Sequence, residues 1–293
     1  MTIRHLKIFI AVVEYGTMHQ AAKQLFVSQP SISQAISELE SYYGVKLFER
    51  ISQRLYLSEK GSNLLPYAQH AVDAFQKMDE LMRNSGEKRK IRIGASVTVG
   101  ACILNDYIKK LEAKVPQIEV EVVVNNTSRI EELLRSCAID VAIVEGIVMG
   151  DDIIKEALFE DELVIICGKD HPFFEKKGLE IHELQSQSFI SREEGSVERN
   201  QFENILKQNN VTIKRKWICS NVDTIKNAVV NGRGLAIVSC LMIDKELKDK
   251  TLKSIPIYNM NLKRNIQLIY HRDKYLSPEL KQFIEGCRAD RAD

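Results

Sequence analysis

Leu6, Phe9, Ile10 and Val13 recur at helical spacing, and Gly16 follows them as a stop. Thr17 suits the N-cap of a second helix that carries Ala21, Ala22 and Leu25 on one face. After a turn through Phe26 and Val27, Ser28 can cap a third helix with Pro30 in its first turn, where a missing N–H costs nothing. A small β-like tail follows, and residues 58–85 then form one long helical pattern. From Ile91 onward β-branched runs alternate with amphipathic stretches. Strands are expected at Ile91–Gly94, Ile118–Val124 and Ile139–Glu145, and helices at Leu104–Val115 and Ile130–Arg135. That alternation predicts an α/β domain built on a parallel sheet. The polar stretch at residues 85–90 contains Gly86 and reads as the linker between the two textures.

The third helix buries Ile32, Ala35, Ile36 and Leu39, so Gln29, Ser31, Ser33, Gln34 and Ser37 must face elsewhere. A solvated helix face ordinarily carries Glu and Lys. Short hydroxyls and glutamines can instead hydrogen-bond base edges in a major groove. Ala21-Ala22 permits two helices to cross closely, as a helix-turn-helix requires. A small helical bundle with a polar, non-functional face is the alternative. In the long helix Leu64, Ala68, Ala71, Phe75, Met78 and Met82 step by alternating four and three residues, a heptad seam suited to a partner helix. Packing against its own domain is the competing reading. Pro66 lies inside the pattern and predicts a kink or a late start.

At 293 residues the chain should fold as two or three units, at roughly 100–200 residues per domain. Hydrophobic residues make up 44% and charged residues 28%, which excludes disorder as the main state. With 41 basic and 40 acidic side chains the net charge is +1, so a polybasic nucleic-acid coat is excluded while a local basic surface is not. Residues 1–65 hold seven basic and five acidic side chains, a surplus of two that allows one head only weak phosphate binding. The six cysteines are scattered without C-x-x-C or metal-ligand spacing, and are expected to be reduced thiols. No cofactor is expected. The six histidines are dispersed and no G-x-S-x-G or H-E-x-x-H occurs, which argues against an enzyme. The absence of a signal-like N-terminus or a span-length apolar run points to the cytoplasm.

The stretch Leu6–Gly61 contains F-x-A-V with Gly16-Thr17, Ala21-Ala22, Leu25, V-S-Q-P-S-I-S, L-E, G-V-x-L-F-E-R and L-S-E-x-G in order. It resembles the N-terminal winged helix-turn-helix of LysR-type transcriptional regulators, and the length and texture of the remainder fit that family. The resemblance implies a multidomain α+β protein. Residues 1–58 would be the winged helix-turn-helix and 59–88 the linker helix of an antiparallel dimer. Residues 89–293 would form a two-subdomain α/β effector domain of the periplasmic-binding-protein type. Its first subdomain would comprise about 91–162 plus 268–293, its second about 163–267.

Carried over by position, Gln29, Pro30, Ser31 and Ser33 would meet bases and phosphates, with Gln34 adding a groove contact. Thr17 and Ser28 would hold phosphate oxygens at helix N-termini. Arg50 and Arg54 would be wing residues reaching the backbone or the minor groove. Gln53-Arg54-Leu55 carries one basic residue where many relatives carry two, so the wing's grip is expected to be modest. The implied partners are double-stranded DNA with dyad symmetry, a second copy of the chain in a homodimer and then a homotetramer, and RNA polymerase.

In the α/β region, hydroxyls fall where strands meet helices: Ser96 and Thr98, Thr127 and Ser128, Ser191 and Ser196. With Arg192 they could surround a small anion. The resemblance places an effector in the cleft between subdomains, and makes Ser96, Thr98, Thr127, Arg192 and Ser196 its expected lining. Asn231–Ile237 fits the family's helix-to-strand turn. Cys102 stands near this region as a candidate redox thiol on the expectation of a helix N-terminus. A solute-binding or enzymatic α/β domain with a helical interaction module is the runner-up.

Overall fold

A computed structural model describes residues 1–51, 54–83 and 90–289, with the side chains of Arg50, Ile51, Arg54, Glu80, Leu81 and Arg83 outside the description. The chain divides into two compact units. The first is Met1–Lys88 with Arg135–Ala138 and Asp273–Tyr275; the remainder is the second.

In the first unit, α1 (Ile3–Tyr15) ends at Gly16, whose φ of 73° is a left-handed stop that favours glycine. The Thr17 hydroxyl accepts the Gln20 N–H and starts α2 (Met18–Gln24). Ser28 accepts the Ser31 N–H and starts α3 (Gln29–Tyr43), with Pro30 in the first turn. Strands β1 (Phe48–Ile51) and β2 (Arg54–Leu57) pair antiparallel as a wing, with Arg50 opposite Leu55. Helix α4 (Glu59–Arg83) follows and carries Pro66 inside it. Phe9, Ala21, Ile32, Ile36, Leu39 and Leu47 form the centre of this unit's core. Leu25 departs from expectation: it is exposed, because α2 ends before it.

Ser58 welds the wing to α4. Its hydroxyl donates to the Lys46 carbonyl at 2.7 Å and accepts the Gly61 N–H at 3.0 Å. A Cβ on Gly61 would lie 2.3 Å from the Leu47 carbonyl oxygen and 2.6 Å from Leu57 Cδ1, so only glycine fits that crossing. The apolar stripe of α4 is split. Leu64 and Ala68 do not form part of a free seam; they pack into the core of their own unit, because the first turns of α4 lie across α1. Ala71, Met78 and Met82 are exposed, and Phe75 is half-buried beneath the Lys7 ammonium.

The second unit begins with β3 (Lys90–Ala95), α5 (Val97–Cys102), α6 (Leu104–Lys114), β4 (Glu119–Val124), α7 (Thr127–Arg135) and β5 (Val141–Glu145). Strands β4, β3 and β5 are parallel neighbours, as βαβ crossovers require. Next comes β6 (Ile153–Gly168), a strand of 16 residues. The chain continues through β7 (Ser188–Arg192), α8 (Val197–Gln208), β8 (Lys214–Cys219), α9 (Val222–Val230), β9 (Ala236–Ser239), α10 (Asp244–Lys248), β10 (Leu252–Ile255), β11 (Lys263–His271) and α11 (Pro278–Ala289).

The main sheet runs β10-β6-β11-β5-β3-β4, with β9 also on β6. Residues Ile153–Glu162 of β6 pair with β11, whereas Leu163–Gly168 pair with β9 and β10. One core surrounds Ile93, Val99, Leu104, Ile143, Leu268 and Phe283; another surrounds Leu163, Leu179, Phe189, Phe202, Leu235 and Ile255. The two lobes thus share β6. The chain returns to the first lobe at Lys263, where β11 starts, rather than near residue 268.

Candidate DNA-binding face and effector site

Helix α3 separates its residues as its periodicity demands. Ile32, Ala35, Ile36 and Leu39 are buried, Gln29, Pro30, Gln34 and Ser37 are exposed, and Ser31 and Ser33 are half-buried. Thr17 and Ser28 stand exposed at the N-termini of α2 and α3, their hydroxyls engaged in capping. The Gln34 amide donates to Glu38 at 2.8 Å, and His5 Nε2 lies 2.9 Å from the same carboxylate. Hydrogen bonds from His5 first and Gln34 second hold the Glu38 carboxyl below its ordinary value. The face therefore carries a fixed negative charge beside its glutamines. Arg50 and Arg54 occupy opposite strands of the wing, and their side chains lie outside the described residues.

A residue that sequence reasoning missed fixes the wing. Glu40 is buried and accepts the backbone N–H groups of Leu47 at 2.9 Å and Phe48 at 3.4 Å. The carboxylate thus ties the recognition helix to the strand that follows.

In the second unit the expected hydroxyls converge, and those of Ser96, Thr98 and Thr127 are already engaged by neighbours. Ser96, between β3 and α5, donates to the Glu145 carboxylate at the end of β5. Thr127 donates to the Glu145 carbonyl at 3.2 Å. Thr98 accepts from Arg264 Nη2 at 3.1 Å. Ser196 is buried at the N-cap of α8, and its backbone N–H reaches the Glu193 carbonyl at 3.4 Å. Arg192 is buried too, bonded in two places to Glu193 (2.9 and 3.0 Å) and through Nη1 to Glu198 at 3.1 Å. Arg192 is therefore not a bare guanidinium awaiting an anion, as its place beside the hydroxyls had suggested.

Glu145, Asp161, Glu198, Ser239 and Arg264 complete the constellation. Arg264 Nε donates to Asp161 at 2.7 Å, and Nη2 lies 3.4 Å from Glu198. The Ser239 hydroxyl donates to the other Asp161 oxygen at 2.7 Å. Arg264 Nη1 has no hydrogen-bond acceptor among the described residues, although a Glu145 oxygen lies 3.6 Å away. These charges were visible as interruptions of apolar strands: Glu145 closes V-A-I-V-E, Asp161 sits before L-V-I-I-C, and Arg264 opens N-I-Q-L-I-Y. A charge inside a buried strand must find a partner.

Burial is the largest influence on Glu145 and lifts its carboxyl above the ordinary value, against the pull of Arg264. Burial disfavours the charge on Arg192 and Arg264 as well. The carboxylates outweigh it, Glu193 foremost for Arg192 and Glu145 for Arg264, and both guanidiniums are held above their usual range. Burial tends to raise Glu193, but its bonds from Arg192 prevail and lower it. Cys102 closes α5 instead of opening it. Burial first, and then Asp161, push its thiol up, the opposite of what a reactive thiolate needs. All six cysteines are free thiols.

The architecture is that of a DNA-binding regulator: a winged helix-turn-helix followed by a two-lobed α/β ligand-binding unit. Residues 3–62 match the family described as bacterial regulatory helix-turn-helix protein, lysR family, and residues 84–292 match the LysR substrate binding domain. The chain belongs to the LysR family of transcriptional regulators. It is 30% identical over 287 residues to the HTH-type transcriptional regulator YeiE of Escherichia coli K12, covering 98% of this chain and 97% of that one. To CysL of Bacillus subtilis it is 30% identical, over 90% of this chain and 89% of that one. A full-length OxyR from Pseudomonas aeruginosa, solved as a cysteine-to-aspartate variant, superposes with a TM-score of 0.70 at 21% identity, covering 99% of this chain and 94% of that one. Full-length CbnR complexed with its target DNA gives 0.63 at 21% identity, covering 99% and 100%. Among the described residues no helix is long and apolar enough to cross a membrane.

Proposed function

We propose that this regulator reads a dyad-symmetric duplex with paired winged heads, and that a small effector in the cleft of its second unit modulates that binding. The observation that carries the reading is the division of α3, whose buried aliphatic face leaves Gln29 and Gln34 outward, beside the Glu38 carboxylate. Glutamine bonds adenine edges in the major groove, while Thr17, Ser28, Ser31, Ser33, Arg50 and Arg54 would serve the flanking phosphates. The relative CbnR, solved with its target DNA, supports this use of the head. Exposed Met78 and Met82 on α4 suit a second copy of the chain, and with a small positive surplus per head, affinity depends on several heads acting together. A tetramer meeting RNA polymerase in the cytoplasm completes the proposal.

The cleft reading rests on the convergence of Ser96, Thr98, Thr127, Arg192 and Ser196 between the two lobes. The regulatory domain of Synechocystis CcmR, a structural relative, was solved in complex with 2-PG, which supports a ligand site in such a fold. A mobility-shift assay on the protein's own upstream region, at two salt concentrations, tests the function. Retention that survives the higher salt for that region, and not for unrelated DNA of equal length, is the expected result. Equal loss on both duplexes contradicts specific binding.

A further inference from the structure

The Glu198 carboxylate stands in the first turn of α8 between two arginines, one oxygen toward Arg192 Nη1 at 3.1 Å and the other toward Arg264 Nη2 at 3.4 Å. It is fully buried. Neither arginine depends on it for position. Arg192 keeps its twofold bond to Glu193, and Arg264 keeps Asp161 and Thr98. The unpaired N–H groups of the first turn of α8 favour a carboxylate at this place as well. Two fixed guanidiniums and a helix start are the parts from which carboxylate subsites are made. Here the chain itself fills that subsite.

We propose that Glu198 is a built-in ligand, occupying the carboxylate subsite formed by Arg192 and Arg264, and that a small carboxylate effector enters by displacing it. Arg264 Nη1, on a side chain only 2% exposed, gives an independent sign. This buried donor has no hydrogen-bond acceptor among the described residues, the Glu145 oxygen standing 3.6 Å away, so the cluster holds donor capacity that it does not use. The charge balance points the same way. Among the described residues the cluster joins four carboxylates, Glu145, Asp161, Glu193 and Glu198, to two guanidiniums. An added anion meets net negative charge unless a carboxylate leaves, and Glu198 is the one shared by both arginines. Glu198 also links α8 of the second lobe to β11 in the first, so its release removes a contact that joins the lobes. This inference rests on the reading of the cleft as the effector site.

Thermal unfolding of the full chain tests it, with sodium acetate as the probe and sodium chloride at matched ionic strength as the control. Glu198→Ala is expected to lower Tm, and acetate at tens of millimolar to restore much of the loss in a saturable way that chloride does not reproduce. Glu198→Gln keeps the subsite filled, and acetate is expected to recover far less of its deficit. Acetate and chloride acting alike on Glu198→Ala would overturn the proposal, as would equal acetate shifts in the wild type and that variant. If Glu198→Ala accumulates only unfolded, its refolding yield in acetate against chloride gives the same two-way answer. The cleft reading has a separate measure: a change in DNA binding between wild type and folded Thr98→Val in the mobility shift. Acetate rescue without any such change removes the regulatory role and leaves the internal ligand.

Discussion

Glu40, near the end of the recognition helix, accepts the backbone N–H of Leu47 at 2.9 Å from within the core of the head. Leu47 in turn accepts the Ser58 N–H, so one buried carboxylate aligns α3, the start of the wing and the entry to α4. Glu40→Ala strands two backbone donors and should cost about 1–3 kcal/mol. Glu40→Gln, which keeps an acceptor, should cost less. Urea unfolding of the two variants measures the difference; equal losses contradict the hydrogen-bonding role.

The outward face of α3 separates two kinds of contact. Gln29→Ala or Gln34→Ala should narrow the gap between target and unrelated DNA by about 1–3 kcal/mol and leave the salt slope unchanged. Arg50→Ala should weaken binding to all sequences and flatten the slope of log affinity against log salt. A glutamine variant that weakens both duplexes equally would show that the glutamine serves only the backbone.

Arg264 holds Asp161, Thr98 and Glu198 from one guanidinium. Arg264→Met leaves buried carboxylates without their counter-charge and should destabilise by about 3–5 kcal/mol. Arg264→Lys cannot serve three acceptors in those directions and should recover only part of the loss. Chemical denaturation of the three proteins ranks them, and a lysine variant as stable as wild type contradicts the geometric argument.

Burial raises the Glu145 carboxyl above 4.5, its ordinary value and the one expected of the unfolded chain. The folded state therefore binds more protons over the window between those two values. Glu145 stabilises fully below 4.5, and this contribution is lost as pH rises through the folded value. Glu145→Gln removes that titration while keeping an acceptor for Ser96. The stability of wild type minus that of the variant should fall as pH rises, read from urea midpoints at a series of pH values. A difference independent of pH argues against the shift.

Met78 and Met82 are exposed on α4 beyond the turns that cover the head. Charged groups there should oppose a helix partner without touching the core of the head. The double variant Met78→Glu, Met82→Glu is expected to sediment as a lighter species than wild type at equal concentration, with its thermal transition intact at the head. Unchanged mass contradicts a partner on this stripe.

The sequence carried the local elements well where a single periodicity or cap decides them. Gly16, Thr17, Ser28 and Pro30 set helix ends through backbone geometry and nearby hydrogen bonds, and the runs from Ile91 to Glu145 set strands through β-branched burial. That Ser96, Thr127 and Ser196 stand at helix starts was also legible, because short hydroxyl residues favour those junctions. Their partners were not. Arg264 pairs with Asp161 across 103 positions and Ser96 meets Glu145 across 49, and no spacing rule joins residues so distant. Leu64 and Ala68 show the converse limit. A heptad pattern states that a face is apolar but not which neighbour covers it, and here α1 claims the first turns.

Strand β6 runs unbroken from one lobe of the second unit into the other, pairing with β11 over its first part and with β9 and β10 over its last. A hydrogen-bonded strand has an almost fixed rise per residue but a variable twist. The lobes therefore have a common axle that can turn but cannot lengthen. A twist of one lobe against the other would have to pass along that axle, across the register slip near Ile266 and Gln267.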